Sequence, residues 1–417
     1  MRLKSIGPLL ILAIITIPAF LSILNGQYFS MHDDQHIARL YLLDQGIREG
    51  YFYPRWVDSL GFGFGYPLFN FYPPLIYYLG ELFHLIGFSY IWSIKLVVIT
   101  GFLLASYGSY LLAKRFIGRN PALLVSALYT YFFYHGVNAY VRGALAEFFS
   151  MAVFPFVFLS LHSVFEKPRL RSLIFFGITF AVLVLTHPLI AFPSLLFIGI
   201  FVLFYLLTSK NKMTFLFTSV AGFIFGLGLS AFYWLPSMFE RKFTFVDEIL
   251  TRELASYKVH FICLEQLWYS AFSYGGSIPG CEDGFTFQLG RLHIALLAGS
   301  IGLGVFYFFR KKIDINLVYY LFFLMLALFS VFMTTEFSKP IWDTVSYLAY
   351  LQFPWRFLTF SALFISLTAG FFVFFLEKTS KNTGRYSLFI TLALVLVLIF
   401  KYSGYYKPQK YLNFTDR

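Results

Sequence analysis

Eleven apolar segments, each about long enough to cross a lipid bilayer, constrain the fold of this chain more than any other feature. A spanning α-helix needs ~20 mostly apolar residues to cross ~30 Å of hydrocarbon. The chain is 59% hydrophobic and 12% charged, whereas about 25% of residues are charged in soluble domains. The sequence therefore predicts an all-α, polytopic integral membrane protein. The predicted spans are residues 7–26, 90–113, 120–136, 145–165, 172–187, 190–208, 213–235, 292–309, 315–333, 354–376 and 386–403.

The charges between these segments predict an orientation. If the N-terminus lies inside, the inner segments carry 16 Lys and Arg but three acidic residues, as the positive-inside rule requires. The large connections at 27–89, 236–291 and 334–353 and the C-terminus then lie outside. The net charge of +12 follows from this topology, and no nucleic-acid-binding motif accompanies it. We expect a multi-pass protein of the cytoplasmic (plasma) membrane, with one transmembrane domain over 1–417 and no separate C-terminal soluble domain.

Both cysteines of the chain, Cys263 and Cys281, fall in the second outer connection. An oxidising compartment permits a disulfide between them. Two unpaired structural cysteines are the alternative, because sequence spacing does not give the geometry that a disulfide needs.

The first outer connection begins with two adjacent carboxylates, Asp33 and Asp34. Carboxylates at this depth are costly unless they meet a cation, a phosphate or water; a solvated acidic loop is the plain alternative. From residue 34 to 49, apolar residues recur at three- and four-residue spacing, which predicts an amphipathic helix at the membrane interface. A second amphipathic stretch runs from the proline pair at 73–74 to about residue 87.

These features resemble lipid-carrier glycosyltransferases of the GT-C fold. The shared layout is an acidic residue after the first helix, an interfacial helix, and the sequence PPLIYY at 73–78. Aminoarabinose transferases and protein O-mannosyltransferases have this layout. With RGALAE at 142–147 and FPWRFL at 353–358, most of the chain more closely resembles a bacterial multi-pass family labelled 6-pyruvoyl-tetrahydropterin synthase-related.

The family label does not predict pterin chemistry. Soluble pterin synthases hold zinc with three histidines, and no such spacing occurs in this chain. GT-C enzymes often carry a C-terminal extracytoplasmic domain, whereas 14 residues follow the last predicted span. We therefore expect a truncated or minimal member of the group.

The resemblance implies transfer of a sugar from a polyprenyl-phosphate donor in the bilayer to an extracytoplasmic glycan, lipid or protein acceptor. The acceptor hydroxyl must lose a proton, which Asp33 or Asp34 can take as general base. The departing phosphate needs a cation, and the planar fork of arginine matches its oxygens. Arg356 is the first candidate for this phosphate and Arg142 the second.

Further candidates for substrate binding each have a structural alternative. Trp56, Tyr77 and Tyr78 could stack on a sugar ring, but aromatic residues in such a chain usually pack or line the membrane interface. Glu147 could contact substrate or form a helix cap or ion pair. His187, just before a proline, could contact substrate or hydrogen-bond a helix end.

Neither the cofactor nor the class of function is settled by these residues. The sequence establishes no cofactor, and a divalent metal is an alternative to arginine at the phosphate. His32 and His36 have a metal-type spacing, but two histidines do not define a zinc site. A transporter or flippase of an envelope glycan or lipid would place ionisable residues midway along several spans and repeat its halves, and the sequence shows neither pattern. A non-catalytic envelope-assembly protein stays open.

Overall fold

The computed structural model describes residues 6–249, 255–310, 313–379 and 381–414, and helices dominate it. Some of the residues used in the charge argument, among them Arg2, Lys4 and residues 311 and 312, lie outside these described ranges. The α-helices are α1 (Ile6–Phe20), α2 (His36–Arg48), α3 (Leu68–Phe71), α4 (Leu75–Leu85), α5 (Tyr90–Ile117), α6 (Arg119–Thr130), α7 (Phe133–Gly136), α8 (Leu145–Glu166), α9 (Leu170–Thr186), α10 (Pro188–Thr208), α11 (Lys212–Leu229), α12 (Ala231–Glu240), α13 (Val246–Ile249), α14 (Leu264–Trp268), α15 (Arg291–Arg310), α16 (Ile315–Phe332), α17 (Lys339–Thr344), α18 (Leu358–Thr379) and α19 (Lys381–Tyr402).

Shorter elements complete the described chain. A π-helix follows α7 at Val137–Arg142. The 3₁₀ segments are Leu21–Ile23, Gly61–Gly63, Arg241–Phe243, Tyr257–Val259, Glu336–Ser338, Ser346–Leu351, Pro354–Phe357 and Ser403–Tyr405. Two short strands, β1 (Tyr28–Phe29) and β2 (Tyr411–Leu412), pair antiparallel.

Among the described residues, eight helices are long and apolar enough to cross a membrane. They include α5, α8, α10, α11, α15 and α16, together with Pro354–Thr379 and Arg385–Tyr405, which contain most of α18 and α19. Two further apolar helices, at Leu9–Ile23 and Leu170–Thr186, are shorter. The all-α polytopic prediction is confirmed, but the count of eleven spans is not.

The predicted span at 120–136 is interrupted. Helix α6 ends at Thr130, and Phe132 has an extended backbone. Backbone groups inside a bilayer need internal partners, and side chains supply them here. His135 Nδ1 donates to the carbonyl of Tyr129 at 2.6 Å, while the Tyr406 hydroxyl lies 2.9 and 2.8 Å from the carbonyl oxygens of Thr130 and Phe132.

The described residues pack into two compact units. The first unit falls within Met1–Asn25, Phe102–Arg142 and Asp247–Lys410. Its centre is α18, which packs against α6, α15, α16 and α19 and whose apolar span is 94% buried. Gly370 permits the close approach of α18 to α6, because a Cβ there would overlap the Val125 side chain.

The second unit falls within Gly26–Gly101, Gly143–Val246 and Tyr411–Arg417. Helices α8, α9, α10 and α11 form its apolar core. Helices α9 and α11 meet through small residues: a Cβ on Gly177 would lie 2.8 Å from the Gly222 carbonyl oxygen, and one on Gly226 would lie 2.6 Å from that of Gly177. Such contacts let backbones approach closely in membrane helices.

The two amphipathic helices predicted in the first connection are confirmed as α2 and α4 of the second unit. They pack against each other, and α4 also contacts α8 and α9. The last predicted span of this unit, 213–235, is divided near Ser230, whose hydroxyl donates to the carbonyl of Gly226 and ends α11. The packing of α2 against α4 places the residues of the candidate site, which lie at and before the start of these two helices.

Candidate active site

Asp33 and Asp34 precede α2 and differ in their surroundings. Arg39 Nη1 donates to Asp33 Oδ2 at 3.0 Å, and the Tyr72 hydroxyl donates to the same oxygen at 3.1 Å. The Arg39 guanidinium also lies 4.0 Å from the centroid of the Tyr72 ring. The Asp33 side chain is 32% exposed, whereas Asp34 is an exposed residue. Two donors therefore orient the Asp33 carboxylate through Oδ2, and neither of them uses Oδ1.

Arg39 stays charged because of its partners. Burial disfavours the charged guanidinium, but Tyr77, Tyr72 and Asp33 act in the opposite direction and raise the pKa of Arg39 above its usual value. Arg39 Nη2 also donates at 3.0 Å to Gln35 Oε1, and Gln35 is the N-cap of α2. The first turn of α2 thus fixes the cation that holds Asp33.

His36 links α2 to α4 and to the chain before α8. Its Nε2 lies 2.6 Å from the Gly143 carbonyl oxygen, which can only accept, so Nε2 carries the proton. Nδ1 then accepts from the Tyr77 hydroxyl at 3.0 Å, and Tyr77 in turn accepts from Arg39 Nη1 at 3.3 Å. Burial lowers the pKa of His36 to about 4, against the opposing effect of Asp33. His36 is therefore neutral at physiological pH.

The two tyrosines keep their protons. Burial raises the pKa of Tyr72 to about 12, although the positive charge of Arg39 acts in the opposite direction on this pKa. Burial likewise raises the pKa of Tyr77 well above its usual value. Tyr72 can therefore donate to Asp33 and Tyr77 to His36, while Arg39 Nη1 donates to both Asp33 and Tyr77.

Gly143 allows the chain to pass close to Asp33. It has a φ of +63°, a conformation that favours glycine. A Cβ here would overlap Met31 Sδ and lie 2.9 Å from the Asp33 carbonyl oxygen. Gly143, which belongs to the RGALAE segment, therefore packs against Met31 and against the backbone of Asp33, the candidate base.

Two cavities lie in the second unit beside α2. The smaller, of about 490 Å³, is lined by Gln35, Ala38, Arg39, Leu42, Leu60, Tyr66, Leu68, Phe71 and Tyr72. The larger, of about 540 Å³, is lined by Leu42, Gln45, Gly46, Glu49, Tyr51, Tyr53, Pro54, Arg55, Trp56, Val57, Asp58, Ser59, Pro67, Asn70 and Glu240. Both volumes fall in the ~300–1,000 Å³ range of ligand sites. Arg39 and Tyr72, the two side chains that hold Asp33, both line the smaller cavity.

The other predicted substrate residues have separate positions in the second unit. Trp56 lines the larger cavity, whereas Tyr77 is buried in the network around His36. Tyr78 donates its hydroxyl to a backbone carbonyl. His187 caps α10 by accepting from the amide of Ile190 at 3.1 Å, and Glu147 is buried in the first turn of α8.

The predicted phosphate ligands, Arg142 and Arg356, lie in the first unit. The Arg142 guanidinium lies 4.4 Å from the centroid of Trp355, and that of Arg356 lies 5.2 Å from Phe353. Phe353 and Trp355 stack with centroids 4.5 Å apart. Arg356 Nη1 also donates to the carbonyl of Leu351 at 2.8 Å. The guanidinium groups of both arginines therefore lie against the same pair of stacked rings.

The spacing of His32 and His36 does not give a metal site, and the two cysteines form the disulfide that was one of the two alternatives. Both ring nitrogens of His36 take part in hydrogen bonds, so His36 is not an available partner for His32. Cys263 and Cys281 are joined by a disulfide, with Cα atoms 5.6 Å apart. Glu265 lies near both sulfurs, but disulfide sulfurs are not the thiolates that metals bind.

Several residues of the site were missed by sequence reasoning. Arg39 lies one turn from Gln35 on α2, and this spacing was a readable signal of a shared face. Tyr72, by contrast, is 39 residues from Asp33. Asn70 donates to Glu240 Oε2 at 2.8 Å across 170 residues. Only the packing of the unit brings such pairs together.

A family model described as 6-pyruvoyl-tetrahydropterin synthase related domain, membrane protein, matches residues 69–408. The match covers most of the chain. The chain belongs to this family. Among the described residues, the one group of three side chains that could hold a metal ion is that of Cys263, Glu265 and Cys281.

Two solved structures share the fold. ArnT from Cupriavidus metallidurans, bound to undecaprenyl phosphate, matches 93% of this chain and 63% of its own, with 15% identity and a TM-score of 0.52. The Archaeoglobus fulgidus oligosaccharyltransferase, tethered with an acceptor peptide, matches 98% of this chain and 56% of its own, with 15% identity and a TM-score of 0.51. Both are GT-C glycosyltransferases, so the fold of this family member is GT-C-like.

One curated relative has no assigned function. An uncharacterised protein of Lactococcus lactis subsp. cremoris is 24% identical over 237 residues, which make up 54% of this chain and 38% of that protein. This chain therefore spans well under half of that relative and less than two thirds of either solved structure.

Proposed function

We propose that this protein is a membrane glycosyltransferase that moves a sugar from a polyprenyl-phosphate donor to an extracytoplasmic acceptor. The GT-C-like fold supports this class of reaction, and the undecaprenyl phosphate bound to ArnT supports a lipid-linked donor. One observation carries the assignment of the base. Asp33 is held through Oδ2 by Arg39 and Tyr72, which both line a cavity large enough for a sugar.

In this mechanism Asp33 acts as general base through Oδ1. The acceptor hydroxyl oxygen attacks the anomeric carbon of the donor sugar while its proton passes to Oδ1. The bond between the anomeric carbon and the phosphate oxygen breaks, and its electron pair leaves on the phosphate. Arg39 and Tyr72 keep the carboxylate in one orientation throughout, which lowers the entropic part of the barrier.

For the phosphate of the donor we assign Arg356, with Arg142 as second choice. Guanidinium groups meet phosphate oxygens with two parallel hydrogen bonds, and the stack of Phe353 on Trp355 holds both side chains in fixed directions. Arg356 is also buried, where its charge acts more strongly on a phosphate than it would in water.

The pair of Asp33→Asn and Asp34→Asn tests the base. Both variants remove one carboxylate and keep its shape, but Asp34 is exposed and serves as the matched control. We expect Asp33→Asn to lower transfer from synthetic undecaprenyl-phosphate sugars in proteoliposomes by ~10²- to 10⁴-fold, and Asp34→Asn to stay near the wild-type rate. Thermal melting verifies that both variants fold. Wild-type turnover in both would refute the assignment.

Arg356 is tested by binding. Arg356→Ala should weaken binding of undecaprenyl phosphate by roughly tenfold or more, since a charge-assisted bond is lost. Arg356→Lys should restore binding only in part, because a point charge replaces a planar fork. Arg291, at the start of α15, provides a control arginine. Equal loss in Arg291→Ala would show a general effect of charge and would argue against a specific phosphate site.

A further inference from the structure

The larger cavity of the second unit is not used by the base or by the assigned phosphate ligands. Its wall combines aromatic rings, carboxylates, amides and one guanidinium. Sugars present paired hydroxyls to planar polar side chains and a C–H face to aromatic rings. A wall of this composition is suited to a saccharide.

The charge of this cavity argues against an anionic ligand. Glu49, Asp58 and Glu240 oppose the single guanidinium of Arg55. Arg55 is itself engaged: its Nη1 lies 3.2 Å from Glu240 Oε1 and 3.4 Å from Asn70 Oδ1. The surplus of carboxylates would repel a phosphate or a uronic acid. The cavity therefore favours saccharides without acidic groups.

Trp56 provides the aromatic surface. It is 54% exposed although it is a large apolar residue, and its indole packs over Gly65, where a Cβ would overlap the ring. Gly65 has a φ of +83°, so glycine is favoured there for both reasons. An indole that is backed by the chain and open on one side is preorganised to stack on a ligand.

The loop from Val57 to Tyr66 contributes residues to the walls of both cavities. Its ends pair through backbone hydrogen bonds of 2.9 and 3.0 Å. Asp58 and Ser59 line the larger cavity, whereas Leu60 and Tyr66 line the smaller one. A ligand of several sugar units can therefore extend along this loop from the Trp56 side towards Arg39 and Tyr72.

We propose that the larger cavity binds the saccharide chain of an acceptor that carries no acidic groups, while its terminal sugar enters the smaller cavity beside Arg39 and Tyr72, the two side chains that hold Asp33. The acceptor role rests on the proposed glycosyltransferase function. Saccharide binding at Trp56 does not rest on it, because binding requires no donor and no turnover.

The test is direct binding of purified, detergent-solubilised protein to a glycan array of neutral, amino-sugar and uronic-acid oligosaccharides. We expect binding to neutral or amino-sugar chains and none to uronic-acid chains. Trp56→Ala and Gly65→Ala should each weaken it by about tenfold or more. Trp268→Ala, also at 54% exposure, and Gly63→Ala, which has a φ of +88° but no atom near an added Cβ, should bind as wild type.

The outcomes separate this inference from the proposed function. Absence of saccharide binding, binding to uronic-acid chains alone, or equal binding by Trp56→Ala would overturn the saccharide site, whatever the transferase assay shows. Binding that depends on Trp56 and persists in Asp33→Asn supports the site. If the wild type then transfers no sugar from any lipid-linked donor, the site stands and its acceptor role is overturned.

Discussion

At the scale of single residues, the candidate site depends on protonation states that burial enforces. His36 is completely buried, and its neutral form is the one that can both donate to Gly143 and accept from Tyr77. A second proton on the ring would turn Nδ1 into a donor, so the Tyr77 hydroxyl could no longer donate to it and this bond would have to reverse. The orientation of Arg39, and through it Asp33, is thus tied to a neutral imidazole.

This arrangement predicts a loss of stability in acid. The pKa of His36 is lowered to about 4 by burial, so the folded protein binds fewer protons than the unfolded chain. Stability therefore falls as the pH drops from about 6.5 towards 4, by the order of 3 kcal/mol for this group. Thermal unfolding in detergent from pH 8 to 4 measures it. His36→Gln cannot titrate and should show a shallower fall; identical pH dependence in both proteins would contradict the prediction.

How far a residue could be predicted depended on the distance of its partners along the chain. The carboxylate pair could be proposed from the sequence because it lies only a few residues after an apolar span, which a short stretch of sequence shows. The side chains that distinguish Asp33 from Asp34 were not foreseen. Tyr72 reaches Asp33 only because α2 packs on the segment before α4, and no local pattern encodes that contact.

At the scale of elements, the three- and four-residue spacing of apolar residues predicted the positions of α2 and α4 well, although the buried side of α2 also contains the polar residues His36 and Asp44. Hydropathy predicted one continuous span at 120–136, because this stretch is mostly apolar and has no Asp, Glu, Lys or Arg, whereas the helix is interrupted after Thr130. The bond from His135 to the carbonyl of Tyr129 and the position of Tyr406 stabilise that break. Side-chain bonds to the backbone do not change hydropathy, so the break was invisible to it.

The contact between α2 and α4 also contains a buried carboxyl pair. Asp44 on α2 accepts both from Arg48 Nε, at 2.8 Å, and from the Tyr90 hydroxyl, at 2.6 Å. Glu81 on α4 is 2% exposed, and its carboxyl lies close enough to that of Asp44 to donate a hydrogen bond to it when protonated. Burial, together with the charge of Asp44, raises the pKa of Glu81.

Glu81 should therefore make the packing of α2 on α4 sensitive to base. A carboxyl with a raised pKa in the folded state holds its proton there, so its contribution to stability is present at low pH and is lost as the pH rises through that pKa. We expect Glu81→Gln, which stays neutral, to be more stable than wild type at high pH, and the difference to shrink in acid. Thermal unfolding from pH 4 to 8 measures this, because the loss begins at the usual carboxyl pKa of about 4.3. A constant difference across that range would show that Glu81 does not titrate in the folded protein.

At the scale of the whole molecule, composition and hydropathy were sufficient for the fold class, because a chain with so few charges and so many apolar segments has few alternatives to membrane helices. Composition and hydropathy were not sufficient to predict the GT-C-like arrangement. That prediction came from the resemblance of a few short motifs in the first connection to those of GT-C enzymes. The number of spans could not be read from length alone, since α1 and α9 are shorter than the other apolar helices.

The predicted orientation in the membrane determines whether the candidate site faces the cytoplasm or the outside of the cell. The Lys and Arg bias of the predicted inner segments places the loop at residue 211 inside and the loop at residue 59 outside. Asn211 and Ser59 are both exposed, and the native cysteines are bonded to each other and do not react with maleimides. An impermeant maleimide added to intact cells should therefore label Ser59→Cys at once and Asn211→Cys only after permeabilisation. Equal labelling of both in intact cells, or labelling of Asn211→Cys alone, would mean that the orientation is wrong and that Asp33 does not face an extracytoplasmic acceptor.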